Sequence, residues 1–302
     1  KGGTYTYWEA RITVGHDPGT GRQIQRSFSG KTQKEVREKM QAAAVELNEG
    51  TYQQPSKMTV GEWMDIWARD YLGGVKPMTV VNYEQHIKNQ IRPALGAIKL
   101  EALNTHTIQS FYNDLRKFHG EKKGLSAKTI KCIHSILHEA LQQAVAVGYI
   151  RFNPSDACEL PRVEKKEVKP LDSEAISAFL KVIQGHRFEI LYLVTLFTGM
   201  RRGEVCGLTW DCIDLDKGTI LVNKQLQNVP GEPGAYRLVS SKNGKGRTIT
   251  AAPTVVAALK RQKAKQSADR LKAGKLWQDE GFVFTDEIGR HVSPHSVYHH
   301  YK

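Results

Sequence analysis

A charged segment at residues 161–169 divides this chain into parts that fold separately. Its sequence, Pro-Arg-Val-Glu-Lys-Lys-Glu-Val-Lys, is mostly charged and contributes almost nothing to a hydrophobic core. Such a composition is typical of a linker between domains. The chain has 302 residues, which also indicates two or three domains rather than one. We therefore predict a multidomain protein with separate folds before and after this linker.

Residues 57–160, ahead of the linker, have the apolar spacing of helices throughout. Thr59 and Glu62 have the spacing of a capping box at the start of the first helix. Further helices are predicted at 79–91, 105–119 and 126–147. Pro93 and Gly96 are predicted to stop the second of these four helices. The sequence thus predicts an all-α domain.

Residues 1–55 have the pattern of a small α+β module. Alternate residues of the first predicted strand share its buried face: Trp8, Ala10, Ile12 and Val14. Residues 23–29 form a predicted returning strand after a glycine-containing turn. Thr32 and Glu35 then have capping-box spacing at the start of an alanine-rich helix.

Residues 170–302 mix helical and strand patterns and predict a mixed α+β domain. The stretch 190–197 is apolar on every side, so its helix is predicted to be buried. Other helices are predicted around 176–183, at 253–271 and from Ser293 onward, and strands at 218–222, 238–250 and 282–284.

The charge of the chain points to a polyanionic partner. The formal net charge is +13, from 44 basic and 31 acidic residues, and every part of the chain has a basic excess. An extended partner such as nucleic acid fits this distribution better than one small anion. From charge alone, a basic protein without a nucleic-acid role remains the alternative. No apolar run is long enough to span a bilayer.

The four cysteines give no sign of a disulfide or a metal site. None belongs to a Cys-x-x-Cys pair, and all lie in helical or apolar contexts: Cys132, Cys158, Cys206 and Cys212. We predict reduced, buried thiols and a cytoplasmic protein.

Residues 198–210 carry the most specific chemical signal. A buried apolar helix runs into a glycine turn, then Arg201, Arg202 and Glu204. An arginine beside a core usually holds an anion, and its planar fork suits two phosphate oxygens. Glu204 follows Arg201 by three residues and so lies on the same helical face, where it can orient the guanidinium. The competing interpretation is a helix start with solvated arginines and a surface ion pair.

A second signal is the sequence Ser241-Lys242-Asn243-Gly244-Lys245-Gly246-Arg247, a glycine-rich turn with three cations between two apolar strands. A hairpin with Lys242 at its tip can reach a DNA groove or a phosphate. A solvated basic turn is the competing interpretation.

Together these motifs resemble the tyrosine recombinase (phage integrase) family, of the conjugative-transposon and phage type. Residues 198–216 resemble its first arginine box, and the Lys242 turn resembles its lysine hairpin, with Arg247 at the family's offset. The segments 79–96 and 125–154 resemble its core-binding domain, and residues 1–55 its three-stranded arm-DNA-binding domain. The implied domains are an α+β arm-binding domain (1–55), an all-α core-binding domain (57–160), the linker (161–169) and a mixed α+β catalytic domain (170–302).

The resemblance implies cleavage and rejoining of DNA through a 3′-phosphotyrosine, with no cofactor and no metal. Arg201 would hold the scissile phosphate, Lys242 would be the general acid for the 5′-oxygen, and Glu204 would support Arg201. Candidate DNA contacts are Tyr7, Arg11, Thr13, Lys128, Lys131, Lys245 and Arg247. Implied partners are double-stranded DNA at arm and crossover sites, further copies of the chain on that DNA, and an accessory DNA-bending or excision factor.

The sequence departs from the family pattern at its C-terminal end. No His-x-x-Arg box is recognisable, and neither Tyr298 nor Tyr301 is assigned as the nucleophile. The expectation is a catalytic domain cut off before its nucleophile, which binds DNA without cleaving it. A non-catalytic DNA-binding or regulatory protein of the same domains is the alternative. A metal-dependent nuclease is disfavoured, because no suitable carboxylate cluster is present.

Overall fold

A computed structural model describes residues 7–16, 20–48, 57–117, 124–164, 167, 169–229, 231–232, 234–241 and 244–301. The chain divides into two compact units, residues 1–165 and 166–302. Among the described residues, no helix combines the length and the apolar character needed to cross a membrane.

The N-terminal part of the first unit is a hairpin with one helix. Strand β1 (Trp8–His16) pairs antiparallel with β2 (Gln23–Gly30), and α1 (Gln33–Asn48) packs on them. Thr32 accepts the hydrogen bond of the Glu35 backbone at 3.2 Å, which confirms the predicted helix start. Two strands of the three-stranded sheet implied by the resemblance lie within the described residues.

Trp8 is an exception to the predicted burial of the β1 face. Its side chain is 52% exposed, whereas Ala10 and Ile12 pack against the small core of this module. Trp8 lies at the end of the strand opposite Gly30, which has no side chain to cover the indole. The prediction that Trp8 is buried was therefore wrong.

The rest of the first unit is helical, as predicted. Its helices are α2 (Val60–Asp70), α3 (Pro77–His86), α4 (Arg92–Leu95), α5 (Thr105–Arg116) and α6 (Ala127–Ala146). Thr59 and Glu62 form the predicted capping box, with the Thr59 backbone N–H donating to Glu62 at 2.8 Å. Trp63 is fully buried in the core, and its Nε1 donates to the carbonyl oxygen of Ala140 at 2.7 Å, which joins α2 to α6.

The helix predicted to stop at Pro93 continues past it to Leu95. A π-helical turn, Ile87–Ile91, joins α3 to α4, and the backbone N–H of Arg92 donates to Ile87, five residues back. Proline lacks an N–H and clashes with the carbonyl four residues before it in a regular helix. The wider turn ahead of Pro93 changes the hydrogen-bond register, so the chain passes the proline and leaves the helix at Gly96.

Cys132 was predicted to be buried, but it is exposed. It lies on the outer face of α6, opposite the buried Ile130 and Ile133. Cys206 and Cys212 are buried, Cys158 is half-buried, and all four thiols are free.

The second unit packs helices around small antiparallel sheets. Its helices are α7 (Ser173–Val182), α8 (Glu189–Thr198), α9 (Arg202–Cys206), α10 (Pro253–Ala273) and α11 (Pro294–Tyr301). Its strands are β3 (Ile213–Asp214), β4 (Thr219–Val222), β5 (Lys224–Asn228), β6 (Tyr236–Ser240) and β7 (Arg247–Thr250). The strand orders are β3-β4-β7 and β5-β6.

The predicted burial of the helix α8 holds along most of its length. Leu191, Tyr192 and Val194 are buried and Ile190 and Leu193 are half-buried against the core, whereas Phe197 is 49% exposed. The strand predicted at residues 282–284 was wrong. Residues 282–284 are buried but form no strand. Phe282 makes a single bridge to Thr209, so hydrophobicity here reflects burial rather than sheet pairing.

Candidate active site

A left-handed glycine sets the position of Arg201. The helix α8 ends at Gly199, which has a φ of 62°, and Arg201 is the residue that caps the start of α9. This conformation suits glycine because it has no Cβ. Between the two, Met200 is buried with only 3% of its surface exposed. The turn therefore anchors the backbone in the core and leaves the Arg201 side chain 64% exposed.

Glu204 is the buried centre of this site. Only 1% of its side chain is exposed. Its carboxylate accepts from the backbone N–H of Arg201 at 2.8 Å and from Arg201 Nη1 at 2.9 Å. It also accepts from Arg247 Nη1 at 3.1 Å and from Arg247 Nη2 at 2.7 Å. The sequence predicted the contact with Arg201 but not the two hydrogen bonds from Arg247.

These partners keep Glu204 ionised. The hydrogen bonds from Arg247 lower the pKa of Glu204 most, burial opposes them, and the hydrogen bonds from Arg201 lower it further, to about 2. The same pairing raises the pKa of Arg247. The site therefore combines two guanidinium groups with one carboxylate and carries a net positive charge, which suits an anionic ligand.

The strand β6 ends at Ser240 and β7 begins at Arg247, which is part of this cluster. Lys224 pairs with Ser240 and Val222 pairs with Arg247, so the single residue Asn223 separates the two pairings on the opposite strands. The backbone N–H of Ser241 donates to the Asn223 carbonyl at 3.0 Å. The Ser241 hydroxyl donates to the Lys245 carbonyl at 2.8 Å, which closes the base of the segment 241–246. Lys242, the predicted general acid, lies outside the described residues.

The sequence predicted a hairpin with Lys242 at its tip, in which the strands before and after the turn pair with each other. This prediction was wrong. The strands β6 and β7 pair instead with β5 and β4, which follow each other with only Asn223 between them. The sequence did not identify β5, because Lys-Gln-Leu-Gln-Asn contains one buried apolar residue, Leu226, and no alternation that marks a strand.

Arg202 lies beside Arg201 but has a different environment. Its guanidinium stacks on the Tyr298 ring at 5.2 Å from the centroid. Arg202, Tyr298 and Tyr301 border an apolar pocket of about 260 Å³ between α8 and α11. The ring of Tyr301 packs near Phe179. Arg202 is thus tied to the packing of α11, apart from the Glu204 cluster.

The predicted DNA contacts of the first unit are exposed side chains. Tyr7, Arg11 and Thr13 are exposed at β1, and Arg11 Nε lies 3.1 Å from the Glu9 carboxylate. Lys128 and Lys131 are exposed on one face of α6. In the second unit Lys245 is exposed, whereas Arg247 is 39% exposed and bound to Glu204.

Comparison with known families agrees with this arrangement. A phage integrase N-terminal SAM-like domain matches residues 59–116, and the phage integrase family matches residues 163–302. The chain belongs to the phage integrase family of tyrosine recombinases. The integrase resemblance that the sequence indicated is confirmed, and the second match covers Arg201, Glu204, Lys242 and Arg247.

Relatives of this integrase-family chain match nearly all of it. It is 29% identical to a XerC-like tyrosine recombinase of Caldanaerobacter subterraneus, over 98% of this chain and 79% of the relative. It is 27% identical to an integrase of Streptomyces ambofaciens, over 96% of this chain and 74% of the relative.

Solved integrase structures support the fold. The Tn1549 transposon integrase in complex with transposon right end DNA is 25% identical, with a TM-score of 0.67 over 78% of this chain and 74% of that one. A lambda integrase tetramer bound to a Holliday junction is 22% identical, with a TM-score of 0.60 over 95% of this chain and 78% of that one. The predicted multidomain mixed fold is confirmed.

Proposed function

We propose that this chain is a site-specific DNA recombinase that integrates or excises a mobile element by cutting and rejoining DNA. The observation that carries the proposal is an exposed arginine, Arg201, held by the buried carboxylate of Glu204 in a chain of the phage integrase family. A solvated arginine on a helix start needs no buried anion fixed by four hydrogen bonds. The geometry therefore favours a preorganised phosphate site.

In the proposed reaction, Arg201 donates hydrogen bonds to non-bridging oxygens of the scissile phosphate. One of its guanidinium nitrogens, Nη1, donates to Glu204, while most of the side chain faces solvent. Negative charge grows on the phosphate oxygens as a tyrosine oxygen attacks phosphorus. Donors already in place lower the energy of that state without reorganising, and one such donor contributes about 3–4 kcal/mol.

Lys242 acts as the general acid in this proposal. The P–O bond to the 5′-oxygen breaks as the tyrosine–phosphorus bond forms, and the leaving oxygen takes a proton from the Lys242 ammonium. The neighbouring residues support this role, because the backbone of Ser241 donates to the Asn223 carbonyl and Arg247, five residues after Lys242, is bound to Glu204. We also propose that a polypeptide of these 302 residues alone binds DNA without cleaving it, since it contains no His-x-x-Arg sequence.

The proposed DNA contacts extend over both units. We assign residues 1–55 to arm-site DNA, through Tyr7, Arg11 and Thr13, and residues 57–160 and 170–302 to the crossover site, joined by the linker 161–169. Cations proposed to touch crossover-site phosphates are Lys128, Lys131 and Lys245. Several copies act together on paired sites, with an accessory DNA-bending or excision factor as a further partner. Phosphate contacts position the protein and do not select its sequence.

The binding part of the proposal is tested by the salt dependence of DNA affinity. The logarithm of the binding constant should fall linearly with the logarithm of salt concentration, and Lys128→Ala and Lys131→Ala should each reduce the slope by about 1. Lys117→Ala is a matched control, because Lys117 already pairs with Asp114 at 2.6 Å. A flat salt dependence of the parent chain would contradict the proposed phosphate contacts. Cleavage of DNA by the native protein separates a recombinase from a non-catalytic DNA-binding protein.

A further inference from the structure

We propose that Arg247 is a positioning residue that acts through Glu204 on Arg201. The inference rests on the proposed function, since it concerns the phosphate site of that reaction. The sequence suggested a different role for Arg247, contact with DNA phosphate. The side-chain contacts in the second unit favour the positioning role.

The hydrogen bonds of Glu204 are shared evenly between the two arginines. Oε1 accepts from Arg201 Nη1 at 2.9 Å and from Arg247 Nη1 at 3.1 Å. Oε2 accepts from the Arg201 backbone at 2.8 Å and from Arg247 Nη2 at 2.7 Å. An ionised carboxylate has about four acceptor positions, and all four are used here. Rotation of the carboxylate therefore breaks contacts to both arginines at once.

Arg247 holds its end of this network through the sheet. It is the first residue of β7 and pairs with Val222, which is 2% exposed, so its backbone is fixed at the edge of the core. The planar fork of arginine contacts both oxygens of Glu204, whereas a lysine ammonium is a single point charge without this geometry. Arg247 thus sets the rotation of the carboxylate, and the carboxylate sets the orientation of Arg201.

The same contact connects the two catalytic segments. Arg201 and Glu204 belong to the start of α9, whereas Arg247 directly follows the segment 241–246 that contains Lys242. Ser241 is buried and its hydroxyl donates to the Lys245 carbonyl, whereas Arg247 is bound to Glu204. The residues at both ends of that segment are therefore held in place, and Arg247 connects them to Arg201 through Glu204. A change at Arg247 is therefore expected to loosen the site without removing any group that touches the phosphate.

The test compares three variants for DNA binding, cleavage and order of Arg201. Arg247→Met removes the fork, Arg247→Lys keeps the charge without the fork, and Arg270→Met is the control, because Arg270 pairs with Asp279 where both side chains are exposed. In the native protein that contains this chain, both Arg247 variants should cut DNA about 100-fold more slowly at saturating DNA. Misplacing a catalytic group by about 1 Å can reduce the reaction rate by about this factor. Their dissociation constants for DNA and the salt slope should match those of the parent and of Arg270→Met.

Side-chain NMR of the 302-residue chain gives a readout that does not depend on cleavage. The guanidinium signals of Arg201 should show hindered rotation in the parent chain and in Arg270→Met, and free rotation in both Arg247 variants. Guanidinium ion added to Arg247→Ala should restore part of the hindrance, whereas sodium ion at the same ionic strength should not.

Two results would overturn the inference. One is an Arg201 that stays equally ordered in both Arg247 variants. The other is weaker DNA binding in Arg247→Met with a salt slope reduced by about 1, which would make Arg247 a phosphate contact. If Arg247→Met does not fold, Arg247→Lys decides, since it leaves a cation beside the buried carboxylate. If the parent protein does not cleave DNA, the proposed function fails, while the NMR measurement still decides the role of Arg247.

Discussion

Arg201 and Glu204 are joined twice, through the backbone N–H of Arg201 at 2.8 Å and through its Nη1 at 2.9 Å. The two side chains differ sharply in exposure, 64% for the arginine and 1% for the glutamate. A buried anion therefore orients an exposed cation toward solvent, where a phosphate can approach. The predictions below follow from this arrangement and from the packing that supports it.

The ionisation of Glu204 should stabilise the second unit in a defined pH range. Its pKa falls from 4.5 in an unfolded chain to about 2 in the folded one, mainly through Arg247. A lowered folded pKa gives stability that is complete above the unfolded pKa and is lost as the pH falls toward the folded pKa. We expect a loss of about 3 kcal/mol between pH 6 and pH 2. Hydrogen exchange of residues 202–206 measures the free energy of unfolding in this unit.

Glu204→Gln is the matched control for this pH dependence. The glutamine has the same shape but no titrating group, so the loss of stability between pH 6 and pH 2 should shrink by about 3 kcal/mol. The free energy of unfolding at pH 6 should also fall by about 3 kcal/mol, because the charged partner of two arginines is removed. Asp279→Asn, at an exposed ion pair, should change stability by less than about 1 kcal/mol. An unchanged pH profile in Glu204→Gln would contradict the assignment.

Lys242→Ala should slow cleavage by the native protein by about 100- to 10,000-fold, as expected for loss of a general acid. The defect should largely disappear with a DNA substrate in which sulfur replaces the 5′-bridging oxygen, because a thiolate leaves without a proton. Lys245→Ala, three residues further along the sequence, is the control and should affect DNA affinity more than cleavage rate. Equal defects of Lys242→Ala on both substrates would remove the general-acid role.

Trp63→Phe should destabilise the first unit by about 2 kcal/mol. Trp63 is fully buried, its Nε1 donates to the Ala140 carbonyl at 2.7 Å, and its ring meets Tyr149 edge-on at 5.2 Å between centroids. Phenylalanine fills less volume and donates no hydrogen bond. Hydrogen exchange in α2 and α6, measured at increasing urea concentration, gives this change in the free energy of unfolding. Tyr71→Phe, at a partly exposed ring, should cost less than about 1 kcal/mol.

Features that depend on a few neighbouring residues were predicted well from the sequence. Thr59 and Glu62 satisfy each other within one helical turn, so their spacing alone specified the helix start. The pairing of Arg201 with Glu204 was predicted for the same reason, since three residues separate them on one face. Family membership followed from the motifs of residues 79–96, 125–154 and 198–216 taken together.

Features that depend on distant partners were not predictable in this way. Arg247 meets Glu204 across 43 positions, and no local pattern specifies that contact. The strand β5 forms because β6 offers it hydrogen bonds, although its polar residues are not typical of a strand. Pro93 normally stops a helix, and only the π-helical turn before it explains why this helix continues.

The most direct test of the central claim is covalent capture of DNA by the native protein that contains this chain. Its DNA substrate is the joined ends of the mobile element that encodes it, and Arg201→Ala is compared with the parent. We predict that the parent forms a protein–DNA covalent complex and recombined product, while Arg201→Ala binds the DNA but forms the complex about 100- to 1,000-fold more slowly. Binding by the parent with no covalent complex and no recombination would contradict the account. Equal cleavage by Arg201→Ala would contradict the role of Arg201.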